Sequence, residues 1–294
     1  MADASVFHPS FGQPNDEFVY TAKKIGGHEH GPSIPVTVPP AAIYSLFVHR
    51  QWRAGMLLAD AIFSGAVEVK DKCVVELGAG TALPSITAAL CGAKRVVATD
   101  YDNEEVVAAM RHNVKRGIEG KSACPIIATG QTWGHNCDDL LDHAPSGKFD
   151  AVLLADCMWD QFAHADLLKT VVSVLSRDRS ARVYIVSGFH TGREKIVHFV
   201  RKAAQAGLVL VPVDEYDGWP PLADSGAEQS ADVAQSPLEN SSYIIELELD
   251  GMTGDEQDIN ILSVPSGRRR SFMLRDEPIG TRNRWLSVFA LGWA

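Results

Sequence analysis

The chain has 294 residues, 46% apolar and 22% charged, the composition of an ordinary soluble protein able to bury a core. No stretch approaches the roughly eighteen apolar residues of a membrane span, and the first thirty residues lack a basic-then-apolar leader, so a soluble, cytoplasmic protein with no membrane partner is expected. The net charge of −10 is uneven: thirteen Asp or Glu and no Lys or Arg lie between Lys202 and Arg268, leaving about +3 on the rest. That acidity reads as a solvated surface insertion, or as a face that attracts a basic protein and repels nucleic acid.

Residues 1–40 carry Pro14, Gly26-Gly27, Gly31-Pro32, Pro35 and Pro39-Pro40 with little periodicity. They read as an arm lying over a domain that occupies 41–294. From Ala41 a helical pattern begins, and its segment Gln51 to Phe63 puts Trp52, Met56 and Ala59 on one side before stopping at Ser64-Gly65. The next stretch, Cys73-Val-Val-Glu-Leu-Gly-Ala-Gly-Thr-Ala-Leu-Pro84, reads as a buried parallel strand ending in the carboxylate Glu76, a tight turn at Gly78 and Gly80, and a helix opened by Pro84. Glycine belongs there because a Cβ would hold the backbone off a ligand, toward which the helix N–H groups point.

A dinucleotide turn wants a third glycine where this chain has Leu83, and has no use for an acid two residues before the first glycine. Both departures point to S-adenosylmethionine, which has cationic sulfonium and ammonium groups and no pyrophosphate. The second strand, Arg95 to Asp100, also ends in an acid, placed to accept both ribose hydroxyls.

Asn103 then caps a helix with Glu104 and Glu105 in its first turn, Val106, Val107, Met110 and Val114 on one face, and Gly117 as terminator. Strands follow at Pro125–Thr129, Phe149–Asp156 and Ala181–Ser187, and a helix from Gly192 to Ala206 is closed by Gly207. This alternation makes the fold α/β, with a parallel sheet covered by helices on both faces. Leu208–Val213 and Trp285–Trp293 read as further strands. Between them an acidic insertion at about 221–281 holds a candidate extra strand, Tyr243–Leu249, and Arg268-Arg-Arg270, read as a solvated turn in preference to a polyanion signal. Five cysteines without a C-x-x-C pair are expected to be reduced thiols, with no metal site.

In such a sheet ligands bind beyond the carboxyl ends of the strands. Those ends carry Glu76 to Thr81, with Ala79 between the two glycines, then Asp100 to Asp102, Gln131-Thr-Trp133, Asp156-Cys-Met-Trp159 and Gly188-Phe-His190. Trp133 is either packed or covers an adenine. Asp156 is either a helix N-cap or the residue beside the transferred group. Methyl transfer to an amine needs a lone pair aligned with the S–CH3 bond and no metal; freeing that pair on a lysine at neutral pH costs roughly 4 to 5 kcal/mol. Asp156 is placed to orient the amine and Trp159 to cradle its cation, with His164 or His190 removing the proton; each histidine alone is also readable as structural.

Trp52-Arg-Ala-Gly-Met-Leu-Leu-Ala-Asp60, Val74 to Pro84, Thr99-Asp-Tyr-Asp102, Trp133-Gly134 and Ala155-Asp156 together resemble the seven-strand methyltransferases of lysine methyltransferase family 16. Within it they are most similar to the fungal branch described as nicotinamide N-methyltransferase-like or elongation-factor N-terminal and lysine methyltransferases. The resemblance implies a Rossmann-like class I methyltransferase with a mostly parallel seven-stranded sheet. It also implies S-adenosylmethionine held by Trp52, Gly78, Gly80, Asp100, Trp133 and Ala155, with Glu76, Ala79 and Tyr101 beside them. Trp159 stands where that family has tyrosine or phenylalanine, and His190-Thr-Gly-Arg193 where it has a His-Arg-Pro-like segment, so the acceptor side differs. The expected activity is N-methylation of a protein amine, a lysine or an N-terminal α-amine, with a basic translation elongation factor as one candidate and a monomeric enzyme. The alternatives are a small-molecule N-methyltransferase of nicotinamide or natural-product type, and a non-catalytic scaffold with the same fold.

Overall fold

The structure, a computed structural model, describes residues 9–41, 47–122, 124–212, 218–220, 240–249 and 265–294. The chain enters through β1 (Ser10–Phe11), an antiparallel pair β2 (Glu17–Lys23) and β3 (His30–Thr37), and β4 (Gln51–Trp52), which runs beside β1 and leads into α1 (Arg53–Ser64). A strand and helix rhythm follows as β5 (Cys73–Leu77), α2 (Leu83–Leu90), β6 (Arg95–Asp100), α3 (Glu104–Ile118), β7 (Ile126–Gly130), α4 (Asp138–Leu141), β8 (Ala151–Ala155), α5 (His164–Val174), β9 (Arg182–Gly188) and α6 (Glu194–Gln205). The tail adds β10 (Leu208–Val211), β11 (Asn240–Leu249), β12 (Pro265–Met273), α7 (Ile279–Arg282) and β13 (Trp285–Trp293).

Five strands in the order β9-β8-β5-β6-β7 are parallel, and β13 joins antiparallel to β9 with Leu286 opposite Gly188. The other edge of β13 is shared by β11 and β10, and β12 lies outside β11. The described sheet thus has nine strands where seven are expected, because the insertion contributes β11 and β12. Alternate residues of the central strands face opposite cores, as a period of two requires. Val75, Leu77, Val152 and Leu154 pack toward α5 and α6 with Leu167, Val171 and Phe199, while Val74, Ala151 and Leu153 pack with Leu57, Leu58 and Ala88 of α1 and α2. A strand covered on both faces needs an unbroken apolar run, which explains why β5 is buried along its whole length.

The segment read as an overlying arm contributes to the core. Tyr20, Ile34 and Val36 of the β2–β3 pair are fully buried against Met56, Ile86 and Met110. The Tyr20 hydroxyl donates to Asp60 Oδ1 at 2.6 Å, which also accepts from the Lys23 N–H, and Asn113 exchanges two 2.8 Å bonds with the Thr37 backbone. The period-two alternation at Phe18, Tyr20 and Ala22 is present in the sequence but is masked by the surrounding glycines and prolines.

Asn103 caps α3, its side chain accepting from the Glu105 and Val106 N–H groups. Gly117 does not end that helix: it lies inside, where an added Cβ would sit 2.7 Å from Ile86, so it is glycine for close packing of α3 on α2. Arg268-Arg-Arg270 is strand β12 and not a solvated turn, since Arg268 and Arg270 pair with Glu248 and Glu246 on β11. Those two glutamates are therefore buried and neutralised and form no acidic face; Glu277 is likewise paired with Arg193 and Arg270, and the insertion's acids other than these and Asp276 lie outside the described residues.

Candidate active site

The order of the parallel strands reverses at β5, from which the chain moves first to β6 and β7 on one side and then to β8 and β9 on the other. A cavity of about 270 Å3 opens there, beyond the carboxyl ends of β5 to β8. Its floor is the turn after β5. Gly78 has φ +74°, and a Cβ on it would lie 2.9 Å from Cys157 Sγ and 3.2 Å from the Trp133 ring. Gly80 has φ +51° and open space where its Cβ would be. One glycine is needed for contact and the other for room beside the cavity it lines.

Asp100, at the end of β6, is held from both sides. Its Oδ2 accepts from the Gly80 N–H and its Oδ1 from the Tyr101 N–H, both at 2.7 Å. Each oxygen keeps a second acceptor position, which suits a vicinal diol. Burial raises the Asp100 pKa, and these two bonds pull it back. Trp133 covers the turn from the β7 side, and Tyr101 lies at the rim, 43% exposed.

The far wall is the end of β8. Asp156 has the positive φ of +56°, unusual for a residue with a side chain, and its N–H is spent on Val186 O at 2.9 Å. It caps no helix. Its Oδ1 accepts from the Gly188 N–H at 3.1 Å and the Ser187 hydroxyl at 3.4 Å, while its buried Oδ2 has no partner. A buried carboxylate oxygen without a donor, in a residue lining the cavity, is a position prepared for a cationic or N–H-bearing ligand. Aromatic rings surround it. Trp52 stacks on His190 with centroids 4.9 Å apart, and Phe47 meets Trp52 at 6.4 Å and Trp159 at 5.6 Å, edge to face in both cases. The Trp52 indole N–H donates to Phe47 O at 3.1 Å, fixing the ring.

Trp52, Gly78, Gly80, Asp100, Tyr101, Trp133, Ala155, Asp156 and Trp159, all named from the sequence, line this one cavity. Four others stand elsewhere. Glu76 lies beneath the turn, its Oε2 accepting from the Ser85 N–H at 2.9 Å and the Ser85 hydroxyl at 2.6 Å, where it fastens the start of α2. Desolvation raises its pKa to about 8 against the opposing Ser85 bonds. Ala79 is buried and its N–H goes to Thr99 O, so it shapes the turn without reaching the cavity. His164 is fully buried between α5 and α6, with Nδ1 2.8 Å from His198 Nδ1 and Nε2 3.0 Å from Met158 O; burial lowers its pKa, and it serves the core rather than proton transfer. His190 does not line the cavity, but its Nδ1 is buried without a hydrogen bond 3.9 Å from Asp156 Oδ1, directly behind Trp52.

Sequence reasoning missed Phe47, Val48 and Arg50, together with Asp160, Ala163 and Asp166. The first three belong to the loop before β4, which no strand-end rule identifies. The others sit within ten residues of Asp156, so a wider window after β8 would have reached them. Among the described residues no cluster of three or more His, Cys, Asp or Glu is arranged for a metal ion, and no helix is long and apolar enough to cross a membrane.

These residues fit S-adenosylmethionine: a glycine cradle that a Cβ would fill, a carboxylate with diol-accepting positions, an indole beside the cradle and a buried unpaired carboxylate oxygen further on. Comparison with known proteins agrees with the geometry. Residues 28–206 match the model of a family described as lysine methyltransferase. The chain is 31% identical over 199 residues to protein N-terminal and lysine N-methyltransferase EFM7 of Kluyveromyces lactis, covering 62% of this chain and 73% of that protein. It is 34% identical over 187 residues to the protein of that name in Eremothecium gossypii, covering 61% and 70%. With the Schizosaccharomyces pombe protein the identity is 36% over 150 residues, covering 50% of this chain and 58% of the other, so there the chain spans less than two thirds of its relative.

Proposed function

The chain belongs to the lysine methyltransferase family, and from that premise we propose that it is an S-adenosylmethionine-dependent N-methyltransferase whose acceptor is a protein amine, a lysine or an N-terminal α-amine. The observation that carries the reading is the unpaired, buried Oδ2 of Asp156 within an aromatic enclosure of Phe47, Trp52 and Trp159. An alkylammonium satisfies both features at once, its N–H on the carboxylate and its charge against the ring faces. The names of the relatives, which describe action on N-termini and lysines, support a protein acceptor, and a basic translation factor is the candidate class.

Trp52, Gly78, Gly80, Asp100, Tyr101, Trp133 and Ala155 would hold the cofactor. When bound, S-adenosylmethionine supplies a methyl group already activated by its sulfonium. The protein's task is therefore orientation and deprotonation of the acceptor. Asp156 Oδ2 takes one amine N–H and so turns the lone pair in a fixed direction, and the aromatic walls keep water from competing. His190 Nδ1, 3.9 Å from Asp156 Oδ1, is the nearby group able to take the released proton. His164, committed to the core, is not part of this path. The five cysteines are free thiols, which supports a reducing compartment such as the cytoplasm.

The test is incubation of purified protein with methyl-labelled S-adenosylmethionine and fractionated cell extract, counting label in protein and small-molecule fractions separately. Label in a discrete protein band, lost in Asp156→Ala while cofactor affinity is retained, is the expected outcome. Label confined to small molecules would make the acceptor a small amine. Cofactor binding with no label in either fraction would make the protein a scaffold.

A further inference from the structure

Seven large apolar side chains are exposed among the described residues, and three of the aromatic ones belong to chain segments that line the cavity. Phe47 and Tyr101 line it, and Phe162, the most exposed of the seven at 85%, stands between the lining residues Asp160 and Ala163. Scattered apolar side chains on a surface are ordinary; an aromatic ring this exposed, in a loop whose neighbouring residues line the cavity, is a feature to account for.

The loop that carries Phe162 is held in place. The Phe162 N–H donates to Asp160 Oδ1 at 2.9 Å, the Ala163 N–H to Asp160 O at 3.3 Å, and Gln161 Oε1 accepts from Lys195 Nζ at 3.0 Å. Immediately beyond, His164 is anchored to Met158 O. Hydrogen bonds at these points fix the backbone of the loop that carries the exposed ring. The cavity lining is acidic: Asp160 and Asp166 belong to it with Asp156, while the guanidinium of Arg50, which also lines it, is hydrogen-bonded to Ser10.

We infer that this rim docks the polypeptide carrying the acceptor amine, and that Phe162 selects a basic segment with an apolar side chain flanking that amine. The inference rests on the protein-amine reading and adds to it a docking surface and a specificity residue. Its occupant follows from continuity with the site and from charge. A segment whose amine reaches Asp156 must cross the rim, its basic residues meet Asp160 and Asp166, and an apolar neighbour of the amine removes Phe162 from water. A free small amine has nothing to lay on Phe162.

The protein that wild-type enzyme labels in extract, once isolated, is the acceptor for the test. Phe162→Ala should raise KM for it about tenfold, the scale expected for losing a partly buried aromatic contact, with kcat within about twofold and the Kd of S-adenosylmethionine unchanged. Phe162→Leu should recover most of the loss. A KM for Phe162→Ala within about twofold of wild type overturns the docking role while leaving the protein-amine reading intact. Wild-type enzyme that labels only small molecules overturns that reading, and the docking role with it.

Discussion

Gly78 and Gly80 occupy one turn yet answer different physical demands. Both have positive φ, so an alanine at either pays a backbone cost of about 1 kcal/mol. At Gly78 the new methyl also meets Cys157 Sγ at 2.9 Å and the Trp133 ring at 3.2 Å, whereas at Gly80 it meets nothing within 4 Å of protein. Gly78→Ala should therefore cost more stability, roughly 2 to 4 kcal/mol with the overpacking added, and Gly80→Ala about 1 kcal/mol with a disproportionate loss of cofactor affinity. Urea titration and calorimetry separate the two, and equal losses of stability would contradict the assignment. Both glycines were legible in the sequence because a tight turn restricts residue type, and Asp100 because an acid ends the second strand of the alternation. The role of Glu76 was not: a carboxylate at a strand end reads the same whether it faces a ligand or fastens the next helix, and only the Ser85 bonds decide. Its titration gives a second check. The folded protein keeps the Glu76 proton up to about pH 8, while the unfolded chain releases it near pH 4.3. Between those values the folded state binds more protons, so stability falls as pH rises, by at most about 1.4 kcal/mol per pH unit. Glu76→Gln removes that slope, and the difference in Tm between variant and wild type should grow in favour of the variant from pH 5 to 8. Parallel curves would refute it.

At the scale of elements, the parallel strands and the helices α1, α2, α3 and α6 were readable because a doubly covered strand requires a continuous apolar run and these helices show an apolar face, a start or a stop signal; α5 was not read. Of the β11–β12 pair, Tyr243–Leu249 was readable as a candidate strand, whereas Arg268-Arg-Arg270 of β12 reads from the sequence as a solvated turn. Ile245, Leu247 and Leu249 of β11 pack into the core, while the alternate residues Glu246 and Glu248 form buried ion pairs with arginines that no hydrophobic period reveals. Glu246, fully buried, pairs with Arg193 at the start of α6, with Arg270 on β12 and with Arg275 beyond it, and Glu277 joins from the next loop. The Arg193 guanidinium lies 3.9 Å over the Phe189 ring, so the network is continuous with the end of β9 and the loop that carries His190. Glu246→Ala leaves Arg193, only 2% exposed, without its bidentate partner and should destabilise the protein by about 3 to 5 kcal/mol. Hydrogen exchange should then show the greatest loss of protection in β11, β12 and the start of α6. Loss confined to the parallel strands would mean that the network does not hold the insertion to the sheet.

The charge of the whole molecule bears on which acceptor can approach. At −10 overall the protein attracts a basic partner from a distance. The cavity mouth repeats the sign at close range, with Asp156, Asp160 and Asp166 against Arg50, the one lining cation among the described residues, which is hydrogen-bonded to Ser10. Exposed charges such as Asp166 are screened beyond about 10 Å at 0.1 M salt, whereas the buried Asp156 is screened much less. The two ranges can therefore be separated by salt. Raising ionic strength from about 0.05 to about 0.3 M should increase KM for a basic protein acceptor severalfold while leaving kcat nearly constant, because docking is steered by the screened charges and the chemical step depends on the buried one. Neutralising the rim in an Asp160→Asn, Asp166→Asn double variant should reproduce the high-salt KM at low salt and flatten the salt dependence. A small monocationic acceptor, which meets mainly the buried carboxylate, should show little of either effect, so the salt slope also measures how much of the acceptor lies outside the cavity.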